Sequence, residues 1–371
     1  IVVNESDDVA LENNTITNAH NSIRLFEFNN STVSNNTIVS EDPITIDGDD
    51  THGIELDKSS TVTVDGNVLT NIKYGIKCRY ETSDCTLSNN TIENNSRAAF
   101  TFDESQNLTL RNNTMDNAPI YIDCAYQSTD TDVSNWNSHD IDTSNTLADG
   151  SPVIYMKDQD GATVPDNAGA VLLANCTGIT VDDRSFTGGM VQLGFCSDCT
   201  VSNNTFTDSY RAIELAESDN CTVDSNLLDN CSYSGIYLDK ANDNVISNNE
   251  TVNTAEVNSG TGLQSDGESQ YNEITDNVIQ GYSTYVGIYL NDNSNEAIVT
   301  GNTVSDNVYG IVLAGSNCQV YGNTIQNNSS FQGYDMGTDN AWNAAYPTGG
   351  NYWSDYEGVD EKSGENQDQP G

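Results

Sequence analysis

The residues best suited to acid–base chemistry lie in one acidic segment near the amino terminus. The run Asp47-Gly-Asp-Asp-Thr-His52 brings Asp49, Asp50 and His52 within a few positions of one another. General acid–base catalysis needs such groups close together. If the protein is an enzyme, these three residues are the first catalytic candidates. The alternative, which we favour, is an acidic surface loop in a chain that is acidic throughout.

A second set of candidate ligands lies near the carboxyl terminus, where Asp355, Asp360 and Asp368 stand among further acidic residues. Clustered carboxylate oxygens suit Ca²⁺, so these three are the candidate calcium ligands. Their spacing does not match an EF-hand loop, and a flexible acidic tail is the alternative. No cofactor is expected to be required, and Ca²⁺ is the one candidate.

Other chemistry-bearing residues are scattered along the chain. His139 stands beside Asp140 and Asp142, but the three histidines are far apart in sequence, which disfavours a zinc site. Five of the twelve basic residues fall in one stretch that could form a basic stripe for an acidic sugar or an acidic patch of another subunit. Local charge balance is the favoured alternative. The five are Lys73, Lys77, Arg79, Arg97 and Arg111.

These residues must be positioned by a repeat array, because copies of Cys199-Thr-Val-Ser-Asn-Asn-Thr-Phe206 recur along almost the whole chain. We use the apolar residue two places before the Asn-like position as the anchor of each repeat. The spacings between anchors run from 20 to 31 residues, with one gap of 48. Such a period fits one coil of a solenoid. The anchors are Leu11, Val33, Val64, Leu87, Leu110, Val133, Val181, Val201, Val223, Ile246, Ile274, Val299 and Val320.

A second pattern, small-Ile-x-Leu, recurs in the same repeats and alternates apolar with polar residues. Examples are Gly53-Ile-Glu-Leu56, Ala212-Ile-Glu-Leu215 and Gly235-Ile-Tyr-Leu238. A period of two places Ile and Leu inside and the residue between them outside. Tyr237 and Tyr289 occupy equivalent outward positions, where an aromatic row could stack sugars or contact a subunit.

The corners between strands carry Asn-Asn-Thr. Asn tolerates left-handed backbone angles, and stacked Asn amides can hydrogen-bond from coil to coil. The fold predicted from these patterns is all-β, a single right-handed parallel β-helix solenoid of 13–14 coils, a rod roughly 65 Å long at the usual strand spacing.

The predicted domains follow from where the repeat is regular. Residues 1–330 form the β-helix, with irregular, lengthened coils at 134–180, and residues 331–371 form a C-terminal cap and an acidic tail. The cap is an aromatic cluster that covers the apolar end of the last coil. Its members are Phe331, Trp342, Tyr346, Tyr352, Trp353 and Tyr356.

The repeat resembles the parallel β-helix repeats of archaeal surface proteins and of the periplasmic copper-maturation family NosD, within the pectin-lyase-like group. The stretch from Trp136 to Thr146 and the run Gly350-Asn-Tyr-Trp-Ser-Asp-Tyr356 are similar to segments of the same proteins. The resemblance covers nearly the full chain and implies the fold. It leaves the function open, because this fold hosts enzymes and scaffolds alike.

The composition limits the classes of molecule that the protein can bind. With 56 acidic and 12 basic residues, the net charge is −44, which excludes nucleic acid because phosphate binding needs clustered Lys and Arg. Such a surface favours saline or cation-rich surroundings. The chain has nine cysteines. Five of them occupy strand positions that are apolar in other coils and are interpreted as small inward hydrophobes; they are Cys78, Cys85, Cys199, Cys221 and Cys318. Neighbouring coils could bring Cys199 and Cys221 within disulfide range.

The sequence shows no transmembrane run and no signal peptide. It opens at Ile1 without Met, so we expect it to be processed or cut from a longer protein. The many Asn-x-Ser/Thr triplets arise from the corner motif, and an exported protein could carry glycans on some of them.

Three functions remain open. The leading hypothesis is a non-enzymatic extracellular structural protein, a self-associating subunit of an archaeal surface layer, sheath or filament. The alternative is a carbohydrate-active enzyme or polysaccharide-binding protein, such as a lyase, glycosidase or epimerase. A copper-maturation accessory is disfavoured, because its soft metal ligands would be grouped rather than scattered.

Overall fold

The computed structural model describes residues 1–18, 21–40, 51–116, 119–123, 132–253, 260–345 and 347–356. The chain divides into two compact units. Unit 1 comprises Ile1–Gln159, Val164–Cys176 and Phe186–Gly194, and unit 2 comprises Asp160–Thr163, Thr177–Ser185 and Phe195–Gly371. The predicted fold class is confirmed, since the chain is all-β and forms a right-handed parallel β-solenoid of about 13 turns.

Unit 1 contains three parallel six-stranded sheets, because each coil contributes one strand to each sheet. The N-terminal long-strand sheet consists of Val2–Asn4, Asn21–Phe26, His52–Asp57, Tyr74–Arg79, Ala98–Asp103 and Ile120–Asp123. The second sheet consists of Ala10–Glu12, Thr32–Ser34, Thr63–Asp65, Thr86–Ser88, Thr109–Arg111 and Asp140–Ile141. The third sheet consists of Thr15–Thr17, Thr37–Val39, Val68–Thr70, Thr91–Glu93, Thr114–Met115 and Thr146–Leu147.

Three further strands of unit 1 pair in parallel in chain order. They are Val153–Lys157, Ala170–Ala174 and Val191–Gly194. Within the described ranges, the one α-helix is the single turn Ser134–Asn137.

Unit 2 repeats the same arrangement. Its C-terminal long-strand sheet consists of Arg211–Ala216, Ser234–Asp239, Thr261–Asp266, Val286–Leu290, Tyr309–Leu313 and Phe331–Asp335. A second sheet consists of Thr180–Asp182, Thr200–Ser202, Thr222–Asp224, Val245–Ser247, Glu273–Thr275, Ile298–Thr300 and Gln319–Tyr321. A third contains Thr205–Thr207, Leu227–Asp229, Glu250–Val252, Val278–Gln280, Thr303–Ser305, Thr324–Gln326 and Tyr352–Trp353. The remaining strand is Ser185–Thr187.

The two asparagines of each corner have different tasks. The first takes the left-handed conformation, with φ 54° at both Asn203 and Asn248. The second is buried and donates its amide to the equivalent residue of the next coil, as Asn226 does to Asn249 (Nδ2 to Oδ1, 2.9 Å). The predicted amide ladder is therefore present. In unit 2 it runs through Asn204, Asn226, Asn249, Asn277, Asn302, Asn323 and Asn351.

The core of each unit follows the predicted alternation. Ile213 and Leu215 are fully buried, as are Ile236 and Leu238 one coil later. Glu214 and Tyr237, the residues between them, take the opposite face by alternation, where they contact Arg211 and are also buried. The described cysteines are all buried, which agrees with the interpretation of Cys78, Cys85, Cys199, Cys221 and Cys318 as inward hydrophobes. Burial raises the pKa of the Cys231 thiol to about 12, so this side chain behaves as an apolar group.

One predicted anchor is wrong. Ile141, and not Val133, continues the second sheet of unit 1, because Leu110 pairs with Ile141. Val133 instead caps the helical turn Ser134–Asn137, which buries the Trp136 ring against Gly194. A Cβ on Gly194 would lie 1.9 Å from this ring, so the close approach requires glycine. The anchor of this coil therefore lies eight residues later in the sequence than predicted, at Ile141 instead of Val133.

The strands continue past residue 330, where the sequence analysis began the cap. Phe331–Asp335 pairs with Tyr309–Leu313, and Tyr352–Trp353 pairs with Thr324–Gln326. Trp342 and Trp353 do pack together, with ring centroids 5.4 Å apart. Phe331, Tyr352 and Tyr356 are exposed, so they do not act as core-covering residues, and Tyr346 lies outside the described residues.

Candidate active site

The first catalytic candidates are only partly described. Asp49 and Asp50 lie outside the described residues. His52 begins its strand on the outward face of unit 1, and its ring stacks on Tyr74 with centroids 5.3 Å apart and an interplanar angle of 21°. The catalytic assignment of these three residues stays a prediction.

The surroundings of His52 form a balanced charge network. Glu55 forms an ion pair with Arg24 (Nε to Oε2, 3.3 Å) and accepts a hydrogen bond from Arg79 (Nη1 to Oε1, 3.1 Å), and Asp57 pairs with Arg24 (Nη2 to Oδ2, 3.1 Å). Cations and carboxylates alternate across neighbouring strands because the register places them side by side. This arrangement agrees with local charge balance as the role of the basic residues.

The predicted basic stripe is divided between two sheets. Lys77 and Arg97 approach the ring of Tyr74, each at 5.6 Å from its centroid. Arg111 lies on the second sheet, where it pairs with Asp142 (Nε to Oδ2, 3.1 Å) and with Asp140. The five basic residues therefore do not line one surface.

His139 has a structural role. It is fully buried, its Nδ1 accepts a hydrogen bond from the Leu108 amide at 3.3 Å, and its Nε2 lies 2.9 Å from the Asn135 carbonyl oxygen. Burial lowers the pKa of His139 to about 4, so the ring is neutral and donates through Nε2. This residue is consequently a poor candidate for acid–base chemistry.

The calcium prediction remains open. Asp355 is described, whereas Asp360 and Asp368 lie outside the described residues. Among the described residues, no group of three or more His, Cys, Asp or Glu side chains is arranged to hold a metal ion.

A carboxylate cluster on the outward face of unit 2 was not predicted. The register of three neighbouring strands pairs Glu214 with Tyr237 and Asp239 with Asp266. Adjacent strands are about 4.8 Å apart, so Glu214, Asp239 and Asp266 share one small region. We call these three residues the carboxylate cluster.

Arg211 bounds the cluster on one side. Its Nη1 lies 3.1 Å from Oε2 of Glu214, and both side chains are almost fully buried. The guanidinium group also lies 3.8 Å from the ring centroid of Tyr237 and 4.6 Å from that of Tyr233. A planar cation between two rings and a carboxylate is held in a fixed position.

Asp266 is fixed by several donors. Its Oδ2 accepts from the Tyr237 hydroxyl at 3.0 Å and from Gln264 Nε2 at 2.7 Å, and its Oδ1 accepts from Asn291 Nδ2. Burial raises the pKa of Tyr237, so the phenol keeps the proton that it donates. These contacts orient Asp266 towards its neighbour on the preceding strand.

Asp239 is the member of the cluster with unusual proton affinity. Burial, followed by the negative charge of Glu214, raises its pKa from 3.8 to about 6, and Asp266 acts in the same direction. Unlike Glu214 and Asp266, this carboxyl group is only half-buried. It can therefore meet a ligand while exchanging a proton near neutral pH, which is what general acid–base catalysis requires.

The sequence did contain a signal for this cluster. The position after Leu in the second repeat pattern is outward, and it holds Asp239 in one coil and Asp266, three residues after Leu263, in the next. Reading outward positions coil against coil would have placed the two carboxylates side by side. Closeness in sequence, in contrast, favours the acidic segment at Asp49.

Within the described residues, no helix has the length and apolar character needed to cross a membrane. No curated protein matches the sequence. Several solved structures are similar to the chain.

The periplasmic alginate epimerase AlgG is 12% identical, with a TM-score of 0.37 over 86% of this chain and 76% of that one. The A-module of the mannuronan C-5 epimerase AlgE6 of Azotobacter vinelandii is 14% identical, with a TM-score of 0.31 over 88% of this chain and 80% of that one. DFA-IIIase from Arthrobacter chlorophenolicus A6, solved without its lid, is 13% identical, with a TM-score of 0.31 over 81% and 69%. At these identities and TM-scores, nothing about activity follows from the likeness.

The family model for the right-handed β-helix region matches residues 1–138 and 154–329. These ranges include the strands that carry Arg211, Glu214, Asp239 and Asp266. With most of its length matched and the parallel coils observed directly, the chain belongs to the right-handed β-helix family.

Proposed function

We propose that this protein is an extracellular carbohydrate-active enzyme that cleaves glycosidic bonds at the carboxylate cluster of unit 2. The observation that carries the proposal is Asp239, a half-buried carboxyl group whose pKa of about 6 is set by burial and by the neighbouring carboxylates. A group of this kind can donate a proton near neutral pH, whereas an ordinary surface aspartate cannot.

In the proposed reaction, Asp239 donates its proton to the glycosidic oxygen while the bond from that oxygen to the anomeric carbon breaks. Water then adds to the anomeric carbon and returns a proton to Asp239. Glu214 and Asp266 are positioning residues, because their burial keeps them from the ligand while their charges hold the proton on Asp239. Arg211 fixes Glu214 in this arrangement.

The test is the release of new reducing ends from a panel of polysaccharides. We expect the unmodified protein to cleave at least one of them, and Asp239→Asn to lower the rate by about a hundredfold or more, the usual size of general acid catalysis. Asp182→Asn is the matched control, since Asp182 is an exposed carboxylate of unit 2 on a different sheet. Wild-type rates in Asp239→Asn would refute the assignment.

The structural-subunit hypothesis keeps its basis in the regular repeat and the net charge of −44. However, the described residues include a cluster of three carboxyl groups in which burial and the charges of Glu214 and Asp266 raise the pKa of Asp239, a feature that a purely structural subunit does not need. We therefore favour the carbohydrate-active alternative. An archaeal origin, a surface-layer role and the resemblance to NosD stay predictions, and ordered filaments or sheets in electron micrographs would restore the structural hypothesis.

A further inference from the structure

We infer that the ligand of unit 2 is an uncharged polysaccharide that runs across the strands of the C-terminal long-strand sheet, from the carboxylate cluster to an aromatic platform formed by Tyr309, Phe331 and Tyr334. The inference deepens the proposed function and rests on it, because the cluster supplies one end of the path. At the other end, Phe331 of the platform was interpreted from the sequence as part of the C-terminal cap.

The platform is a stack of aromatic rings that faces solvent. The rings of Tyr309 and Phe331 lie 5.9 Å apart and those of Phe331 and Tyr334 lie 5.4 Å apart, each pair with an interplanar angle of 19°. Phe331 is 48% exposed and Tyr334 is 44% exposed. Large rings left at the surface in a nearly parallel arrangement present a flat apolar face, which suits the apolar face of a pyranose.

One row of strand positions links the cluster to the platform, with Glu214 of the cluster at one end and Tyr334 of the platform at the other. Register places Glu214, Tyr237, Gln264, Tyr289, Val312 and Tyr334 side by side on six successive strands. Tyr237 and Tyr334 are thus four strand spacings apart, or about 19 Å. One sugar of an extended glycan is about as long as one strand spacing, so a chain along this row would place roughly one sugar over each strand.

The charges on this face indicate which glycan fits. Among the described residues of these strands, the outward acidic side chains are Glu214, Asp239 and Asp266, and the one outward cation, Arg211, already contacts Glu214. A uronate or sulfated polymer would be repelled here, and by the net charge of −44 as well. Aromatic rings and amides such as Gln264 and Asn291 suit the hydroxyl groups of a neutral sugar.

Because the carboxylate cluster and the platform are far apart, the dependence of binding on ligand length tests the inference. A glycan of two or three sugars bound at Asp239 cannot reach Tyr334, whereas a chain of about six sugars can. Loss of the platform should therefore weaken the binding of long ligands and leave short ones unaffected. General damage to the site would weaken both.

The experiment measures glycan binding by calorimetry in the Asp239→Asn background, so that cleavage does not consume the ligand. The probes are a neutral glucan, a neutral mannan, their trimers and hexamers, and a polyuronate. In the double variant Phe331→Ala/Tyr334→Ala, we expect about tenfold weaker binding of the bound neutral polymer and its hexamer, the effect of losing two ring contacts. Binding of the trimer should be unchanged. Tyr271→Ala is the control, because Tyr271 is 48% exposed but lies outside the row.

Three results would overturn the inference: no neutral polymer binds, the polyuronate binds more tightly than any neutral polymer, or the double variant loses no affinity for the hexamer. A change from oligomer to monomer in sedimentation of the double variant would also overturn it, since the platform would then be a contact between copies. The proposed function fails separately, if the unmodified protein binds a polymer and releases no reducing ends from it.

Discussion

At the scale of single residues, Asp239 makes an unfavourable contribution to folding that its proposed role explains. Its pKa is higher in the folded chain than the value of 3.8 expected after unfolding, so the folded state binds the proton more tightly. The resulting contribution to stability is complete below about pH 4 and is lost as the pH rises through about 6. A carboxylate kept half-buried beside two others at pH 8 therefore destabilises the fold.

We accordingly expect Asp239→Asn to be more stable than the unmodified protein at pH 8 and equally stable at pH 4. The rise of the pKa from 3.8 to about 6, at about 1.4 kcal/mol per pKa unit, sets a ceiling of about 3 kcal/mol. Urea unfolding at the two pH values measures the difference. A variant that is less stable than the parent at pH 8 would show that the ionised carboxylate has a favourable partner.

At the scale of elements, the corner asparagines explain how coils of different length remain in register. The buried Asn249 donates to the carbonyl of Val223 at 2.9 Å and to Oδ1 of Asn277 at 3.0 Å, and it accepts from Asn226. Its neighbour Asn248 is positioned at positive φ and bonds to an exposed carboxylate. One residue joins coils and the other turns the chain.

This division predicts opposite responses to the same substitution at adjacent positions. Asn249→Gly leaves several buried groups without partners, so we expect it to lower the free energy of unfolding by roughly 2 to 4 kcal/mol. Asn248→Gly keeps a residue that tolerates positive φ, so its effect should stay within about 0.5 kcal/mol. Urea unfolding of the two variants checks both values, and equal losses would contradict the ladder as the reason for the motif.

The difference between local patterns and contacts made between coils explains which features the sequence could predict. Strands and corners were predictable because they depend on local alternation and on Asn, which act over a few residues. Val133 was misassigned because a helical turn with the right spacing imitates an anchor, and only the burial of Trp136 decides between them. The carboxylate cluster was missed because Glu214, Asp239 and Asp266 meet only through the register of successive coils, and the raised pKa of Asp239 depends on burial that no local pattern reports.

At the scale of the whole molecule, the charge of −44 restricts partners more strongly than any motif does. From this charge we expect neither nucleic acid nor anionic glycans as partners. The described ion pairs of unit 1 show that cations are used locally, as Arg24 and Arg79 are with Glu55. Among the described residues, the carboxylate cluster has less such balance, because Glu214, Asp239 and Asp266 stand together and only Glu214 contacts Arg211 directly. That imbalance is what a proton-donating carboxyl group needs.

The measurement that tests this account most directly is the pH dependence of kcat/KM for cleavage of the preferred polysaccharide. If Asp239 is the proton donor, kcat/KM must fall as the pH rises through about 6, because the donor is then ionised. Asp239→Asn should abolish this limb along with the activity. A rate that stays constant between about pH 5 and pH 8 would contradict the central claim, since no group with the pKa of Asp239 would then carry the reaction.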